Sequence, residues 1–366
     1  MPSVANTYSA GLPLGKTVVL CLDGHAQTSV GALHWAMRHV VRERQTTLHI
    51  VTVLPPRLDM GALQPDDYFG WADVAVAEGC TAQAEKGEAA AREALLGALQ
   101  VTESYKVGNE CVTAVLQGEG GASGVGQSLV TYAKANNASV VIVGSRGYGT
   151  FKRGLAALAG LGSVSAHCVS ELACPVICVK KAEALSALEE RPPARLCIAV
   201  DNTTHSHQML QWAADKLLHD HEELHLVTVC QTAMPELNCY PPAVTSDMST
   251  EVTRPEKSAD RMEVHTVLMR EAHRALDKAL AILHSHGVPK HRIVTKVLEP
   301  EGGASEVGKS LVSYINRQQF FAAVVGNRCE TNPWSRFFSH VLLGHSSVSK
   351  NCVQHVECPV VVYKHA

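Results

Sequence analysis

One segment of thirteen residues occurs twice in this chain. Gly120–Tyr132 (GGASGVGQSLVTY) returns as Gly302–Tyr314 (GGASEVGKSLVSY), 182 positions later. Each half of the chain also closes with a short apolar run that begins with Cys-Pro, at Cys174 and at Cys358. A repeat unit of about half the chain length is too long for one solenoid turn. The repetition therefore indicates that a whole domain has been duplicated.

The length of 366 residues suits two domains of ordinary size, each with its own core. We expect these domains at 14–182 and 195–366. The segment between them, 183–194, contains Pro192 and Pro193 directly after three charged residues, which is typical of an exposed linker.

Charge and hydrophobicity exclude several kinds of partner. The chain carries 32 basic and 35 acidic residues, a formal net charge of −3. That balance favours neither nucleic acid nor an anionic membrane surface as a partner. No apolar run approaches the roughly 18 residues that span a bilayer, and the first residues lack the pattern of a signal peptide. We expect a cytoplasmic protein.

The 12 cysteines and 19 histidines do not form a recognisable metal or disulfide pattern. Most cysteines lie inside apolar runs and no pair has CxxC spacing, so we expect reduced, buried thiols. The histidine pairs two residues apart have no neighbouring cysteine cluster, and surface or helix-end positions explain them. His167 is expected to be a helix-face residue.

Apolar segments alternate with stretches of helical periodicity in both halves. Each half contains five predicted strands with apolar rather than alternating content, and helices separate them. This order predicts an α/β fold in which a doubly wound parallel sheet carries helices on both faces. The predicted strands lie near 16–22, 48–54, 111–116, 140–143 and 175–179, and near 196–200, 224–229, 293–298, 322–325 and 359–362.

Ligands of open parallel sheets bind beyond the carboxyl ends of strands, where the strand order reverses. In the first half, strand one ends at Asp23 and strand four runs into a glycine-rich segment, 144–149. Glycine lets backbone N–H groups approach an anion closely. Gly162 and Ser163 then open a helix whose free N–H groups would complete an anion-binding cradle, and Lys152 and Arg153 could add charge.

The pattern from Gly144 through Ser163 to the Cys-Pro strand resembles that of the universal stress protein (UspA-type) family, and the likeness covers about 16–180 and 195–364. The resemblance implies five parallel strands in the order 3-2-1-4-5 in each half. It also implies ATP as the ligand, with Mg²⁺ as a candidate companion ion, and a role in stress response or regulation. Family dimers associate through strand five, which implies an internal pseudo-dimer of the two halves, while further homo-oligomerisation stays open.

The same resemblance implies a set of ATP-binding positions in the first half. Asp23 would contact the nucleoside and the backbone of Val53 would face the adenine. The remaining positions would bind the phosphates, and they are Gly144, Gly147, Gly162, Ser163 and Val164.

One departure from the family pattern bears on this site. Fourteen residues, 148–161, separate Gly147 from Gly162, where the family has nine. The longer loop could bulge harmlessly over the phosphates or displace the start of the helix. In the second case both sites would be vestigial, and the protein would be a structural or regulatory module that acts through protein partners.

The second half keeps only part of the pattern. Asp201 and Val229 stand at the nucleoside positions, but Cys329 replaces the second glycine. Ser346 and Ser347 stand where Gly162 and Ser163 stand in the first half. We therefore expect a degenerate site in the second half.

A different phosphate site is also conceivable from sequence, because 303–310 satisfies the Walker A pattern GxxxxGK[ST]. The strand that follows provides no aspartate for magnesium, and Gln127 stands in the first half where Lys309 stands in the second. An ordinary structural role is the preferred interpretation. No catalytic constellation emerges, and no general base that would support ATP hydrolysis is visible.

Overall fold

The computed structural model of the chain describes residues 16–22, 26–41, 46–54, 72–106, 108–118, 121–145, 164–180, 195–218, 222–230, 257–299, 304–327 and 348–364. These residues form two compact units, and the division between them falls between Cys174 and Pro175. The last strand of the first repeat therefore belongs to the second unit.

The first repeat alternates strands and helices as its sequence pattern predicts. Its elements are β1 (Lys16–Leu22), α1 (Ala26–His39), β2 (Thr46–Leu54), α2 (Ala72–Ser104), β3 (Cys111–Gln117), α3 (Gly121–Ala135), β4 (Ala138–Ser145), α4 (Val164–Glu171) and β5 (Val176–Lys180).

Parallel pairing fixes the register of the first repeat. Strand β1 lies between β2 and β4, with Leu20 opposite Ile50 on one side and opposite Ile142 on the other. All three side chains are completely buried. The strand order is β3-β2-β1-β4-β5, which confirms the predicted order and places its reversal between β1 and β4.

The second repeat follows the same plan. Its elements are β6 (Arg195–Ala199), α5 (Thr204–Lys216), β7 (Glu223–Val229), α6 (Lys257–Ser285), β8 (Ile293–Leu298), α7 (Ala304–Gln318), β9 (Ala322–Gly326), α8 (Val348–His355) and β10 (Val360–Tyr363), with a 3₁₀ turn at Lys290–Arg292. Its strands run β8-β7-β6-β9-β10, again the order 3-2-1-4-5. The tandem α/β architecture is thus confirmed.

Local backbone geometry repeats as well. Asn137 after α3 has φ 48° and Gln319 after α7 has φ 52°. Both are in the left-handed region that non-glycine residues rarely adopt. Each stands within two residues of the end of a 15-residue helix and shortly before the fourth strand of its repeat.

Strand β5 pairs antiparallel with β10, with Cys178 opposite Val360 and Val176 opposite Val362. These four side chains are completely buried. Beyond the strand pairing, the Lys180 ammonium donates a hydrogen bond to the carbonyl oxygen of Val353 in α8. The structure therefore attaches β5 to the second unit by main-chain pairing, apolar packing and one lysine contact.

Candidate functional site

Three of the seven predicted ligand-binding residues lie within the described part of the chain. Val53 is near the carboxyl end of β2, Gly144 is near the carboxyl end of β4, and Val164 is the first residue of α4. The other four, Asp23, Gly147, Gly162 and Ser163, fall outside the described residues, as does the loop 148–161.

Strand register brings Val53 and Gly144 to the same edge of the sheet. Thr52 is opposite Leu22 of β1, and Val143 is opposite Cys21 of the same strand. Because one strand separates the two residues and neighbouring strands lie about 4.8 Å apart, the gap between them is about 10 Å. This is the edge where a ligand of a parallel sheet binds.

A buried hydrogen bond fixes the end of β1 at this edge. The Thr52 hydroxyl donates to the carbonyl oxygen of Leu22 at 3.3 Å, and Thr52 is almost completely buried. Leu22 immediately precedes Asp23, the predicted nucleoside contact. The bond therefore ties the last described residue of β1 to the strand that carries Val53.

Among the described residues, no side chain covers Gly144 at this edge of the sheet. Gly144 is exposed, and a methyl group built on its Cα would have no described heavy atom within 4 Å. Its φ is not in the left-handed range. Among the described residues, neither backbone strain nor crowding thus explains why this position is glycine, whereas close approach of a ligand to its backbone would.

A second glycine at this edge was not singled out from sequence. The N–H of Gly118 donates to the carbonyl oxygen of Leu54 at 2.8 Å, directly beside Val53. A Cβ on Gly118 would lie 2.8 Å from that oxygen and 3.1 Å from Cγ2 of Val125. Only glycine fits there, because the clash involves main chain that cannot move aside. Its position directly after β3 was the available signal.

In the second repeat, the carboxylate that corresponds to Asp23 is used locally. One carboxylate oxygen of Asp201 accepts hydrogen bonds from the N–H and from the hydroxyl of Thr203. The N–H of Asp201 donates to the Ser206 hydroxyl at 2.9 Å. Thr203 is also the N-cap of α5 and accepts from the N–H of Ser206. Asp201 thus belongs to the capping structure of a helix.

The glycine that corresponds to Gly144 is covered. A Cβ on Gly326 would lie 3.2 Å from Cδ2 of His205 and 3.6 Å from Sδ of Met209. The His205 ring also packs against the Tyr363 ring, with a centroid distance of 5.3 Å. Side chains of α5 and β10 therefore occupy the space beside Gly326, whereas no described atom lies within 4 Å of a Cβ at Gly144.

The Walker A-like segment lies in a helix rather than in a phosphate-binding loop. Helix α7 spans Ala304–Gln318, and Lys309 is two-thirds exposed, with its ammonium 2.6 Å from a Glu306 carboxylate oxygen. Helical N–H groups beyond the first turn are bonded to carbonyl oxygens and cannot wrap around a phosphate. The structure supports the structural interpretation of this segment.

Thiol and metal chemistry finds no support among the described residues. Six of the nine cysteines whose side chains the structure describes are buried. Burial raises the pKa of Cys178 to about 12 and that of Cys352 to about 12. Within the same part of the chain, no group of three or more His, Cys, Asp or Glu residues is placed to hold a metal ion.

No described helix is long and apolar enough to cross a membrane.

The model of the universal stress protein family matches residues 15–180 and again 194–364. The chain belongs to the universal stress protein family. No curated protein matches it significantly in sequence.

Solved structures of universal stress proteins resemble this chain, and one of them shares the fold over nearly its whole length. One from Archaeoglobus fulgidus DSM 4304 is 16% identical, with 96% of each chain covered and a TM-score of 0.52. UspA from Lactobacillus plantarum is 17% identical and covers 44% of this chain and 96% of its own, with a TM-score of 0.33. An Archaeoglobus fulgidus universal stress protein in complex with dAMP is 18% identical over 44% of this chain and 96% of its own, with a TM-score of 0.28.

Proposed function

We propose that this universal stress protein binds an adenine nucleotide, ATP, through its first repeat and acts in stress response or regulation in the cytoplasm. The observation that carries the proposal is the difference between the two corresponding glycines. No described heavy atom lies within 4 Å of a Cβ built at Gly144, whereas His205 and Met209 occupy that space at Gly326. A glycine with neither strain nor crowding to explain it favours close approach of a ligand.

In this proposal the carboxyl edge of the first repeat holds the nucleotide. Val53 and Asp23 would face the nucleoside, while Gly144, Gly147, Gly162, Ser163 and Val164 would offer backbone N–H groups to the phosphates. Phosphate binding by glycine-rich backbone and a helix start needs no cationic side chain. Mg²⁺, if it takes part, would be held by the phosphates, because the described residues offer it no ligand cluster.

The second repeat would contribute structure rather than a second nucleotide. Asp201 is engaged in the cap of α5, and the surface of Gly326 is covered. We further propose that the two repeats form an internal pseudo-dimer, which the antiparallel pairing of β5 with β10 supports. Expected stoichiometry is therefore one nucleotide for each chain.

The experiment is a thermal unfolding series of the full chain with and without ATP, in the presence of Mg²⁺ and of EDTA. A ligand at about 100 times its Kd stabilises the native state by about 2.7 kcal/mol. For a repeat of this size the expected rise in Tm is roughly 5–10 °C. Isothermal titration calorimetry should give one site for each chain. The absence of any shift at millimolar ATP would favour a module that acts through protein partners.

A matched variant tests the site itself. Gly144→Ala places a methyl group where no described atom lies within 4 Å, so the unliganded Tm should stay nearly unchanged. The ATP-dependent rise in Tm should shrink strongly, since the methyl group prevents close approach of the phosphates. A full ATP response in this variant would show that Gly144 does not border the ligand.

A further inference from the structure

The repeated GGAS segment, the strongest signal of the sequence, has no part in the function proposed above. Residues 121–132 of its first copy lie in α3, and residues 304–314 of its second copy lie in α7. In α3, Gly126 faces helix α4, and in α7, Gly308 faces helix α8. Each of these facing helices precedes the fifth strand of its repeat. The packing of these two helix pairs therefore explains the two glycines.

Close packing explains both glycines. A Cβ on Gly126 would lie 2.7 Å from Cδ2 and 2.9 Å from Cβ of His167 in α4. A Cβ on Gly308 would lie 2.8 Å from Nδ2 and 3.2 Å from Cβ of Asn351 in α8. Neither glycine has a left-handed φ, so the requirement is space and not backbone conformation. Each glycine makes a notch that accepts one side chain of the facing helix.

In the first repeat the notch holds the start of the helix next to the proposed phosphate site. His167 is the fourth residue of α4 and lies one turn beyond Val164. Its Nε2 is 3.3 Å from Oε1 of Gln127, so this nitrogen donates and the amide oxygen accepts. Ser165, in the same turn, is almost completely buried. The first turn of α4 is thus fixed on α3 by packing and by a side-chain hydrogen bond.

The second repeat keeps the notch but replaces the partner residue. Lys309 stands at the position of Gln127, and its ammonium is bonded to Glu306 in its own helix. The notch is therefore shared by both repeats, whereas the His167–Gln127 bond belongs to the repeat with the proposed nucleotide site.

We infer that His167, seated in the Gly126 notch and bonded to Gln127, is a positioning residue for the nucleotide of the first repeat. Helix-start N–H groups bind phosphate well only when they are held within a fraction of an ångström of the required geometry. His167 fixes the turn that carries the N–H of Val164 without touching the ligand. This inference rests on the proposed function, because it assigns His167 a role at that same site.

The test compares ATP affinity with stability in the full-length chain. Gly126→Ala fills the notch and forces His167 to move, and His167→Ala removes the seated side chain. Both should raise the Kd for ATP about tenfold, the usual effect of losing an outer positioning contact. His167→Gln, whose amide nitrogen reaches about as far as Nε2 of histidine, should keep the Kd within about threefold because it can still donate to Oε1 of Gln127.

Gly308→Ala is the matched control, since it fills the other notch against Asn351. It should lower the Tm about as much as Gly126→Ala does while leaving the Kd for ATP unchanged. The inference is overturned if Gly126→Ala and His167→Ala bind ATP with the wild-type Kd, or if Gly308→Ala weakens binding equally. Absence of ATP binding by the wild-type chain would instead overturn the proposed function, and this inference with it.

Discussion

Nδ1 of His225 lies 2.7 Å from the hydroxyl oxygen of Tyr314, and this bond ties β7 to α7. The first repeat contains its counterpart, in which Nδ1 of His49 lies 2.9 Å from the Tyr132 hydroxyl oxygen. Both imidazoles are almost completely buried. In the second repeat, Nε2 of His225 also contacts the carboxylate of Glu223. A hydrogen bond between a buried histidine and a tyrosine is thus common to the two repeats, and His225 has the carboxylate contact in addition.

Tyr314 makes the stability of the second repeat sensitive to alkaline pH. Burial, with smaller contributions from the neighbouring Cys197 and Glu223, raises the pKa of Tyr314 from 10.0 to about 12. Because the folded state holds the phenol proton more tightly than the unfolded state, its contribution is complete below about pH 10 and is lost as the pH rises toward 12. Denaturant unfolding between pH 9 and 11.5 should therefore show a smaller loss of stability in Tyr314→Phe than in the wild type. Equal losses would show that Tyr314 has an ordinary pKa.

The two corresponding glycines should tolerate a methyl group differently. At Gly326 the added carbon lies 3.2 Å from His205, whereas at Gly144 it meets no described atom within 4 Å. Both positions are near the ends of strands, so the intrinsic effect of the substitution is similar. We expect Gly326→Ala to be less stable than Gly144→Ala by about 1 kcal/mol, as overpacking usually costs. Urea unfolding of both variants measures the difference in the free energy of unfolding. Equal values would mean that the His205 side chain moves aside at no cost.

The N-cap of α5 should contribute measurably to stability. Thr203 accepts a hydrogen bond from the N–H of Ser206 and donates its hydroxyl to Asp201. Thr203→Ala removes both bonds and should lower the free energy of unfolding by about 1 kcal/mol. Thr204→Ala changes an exposed threonine in the first turn and serves as the control, with an expected change under about 0.5 kcal/mol.

Buried thiols should resist modification until the chain unfolds. Burial raises the pKa values of Cys178, Cys197 and Cys352, and all three side chains are completely buried. Because the thiolate is the reactive form, native labelling at pH 8 should leave them unmodified while the half-buried Cys174 reacts. Peptide mass spectrometry after alkylation in native buffer and in urea separates the four sites. Rapid native labelling of Cys178 would contradict the buried position of β5.

Sequence periodicity was sufficient for the alternation of strands and helices, and strands β1 and β8 have the predicted bounds. The order 3-2-1-4-5, which the family resemblance implies, is confirmed in the first repeat. Helix α2 is longer than predicted, Ala72–Ser104 against about 74–99, although its last turn contains the poor helix formers Val101, Thr102 and Ser104. Thr102 is buried in that turn. Boundaries of this kind depend on tertiary contacts as well as on local preference.

The details of the site depend on contacts between residues far apart in the chain. The sequence predicts that Val53 and Gly144 lie at strand ends, and their strands, on either side of β1, do end at the same edge of the sheet. Their contacts with a ligand stay predictions. Neither the approach of Gly118 to Leu54 nor the cover of His205 over Gly326 follows from local pattern. Each becomes visible only when two distant segments pack together. Gly126 and Gly308 differ from these glycines, because their occurrence in both copies of the repeated segment singled them out in the sequence.

The attachment of β5 has a practical consequence for producing the second half of the protein alone. A polypeptide that starts in the linker would expose the β10 edge, where Val360 and Val362 now pair with residues of the first repeat. An unpaired apolar edge strand invites aggregation. An expression boundary just before Pro175 would carry the missing strand along and keep that edge satisfied.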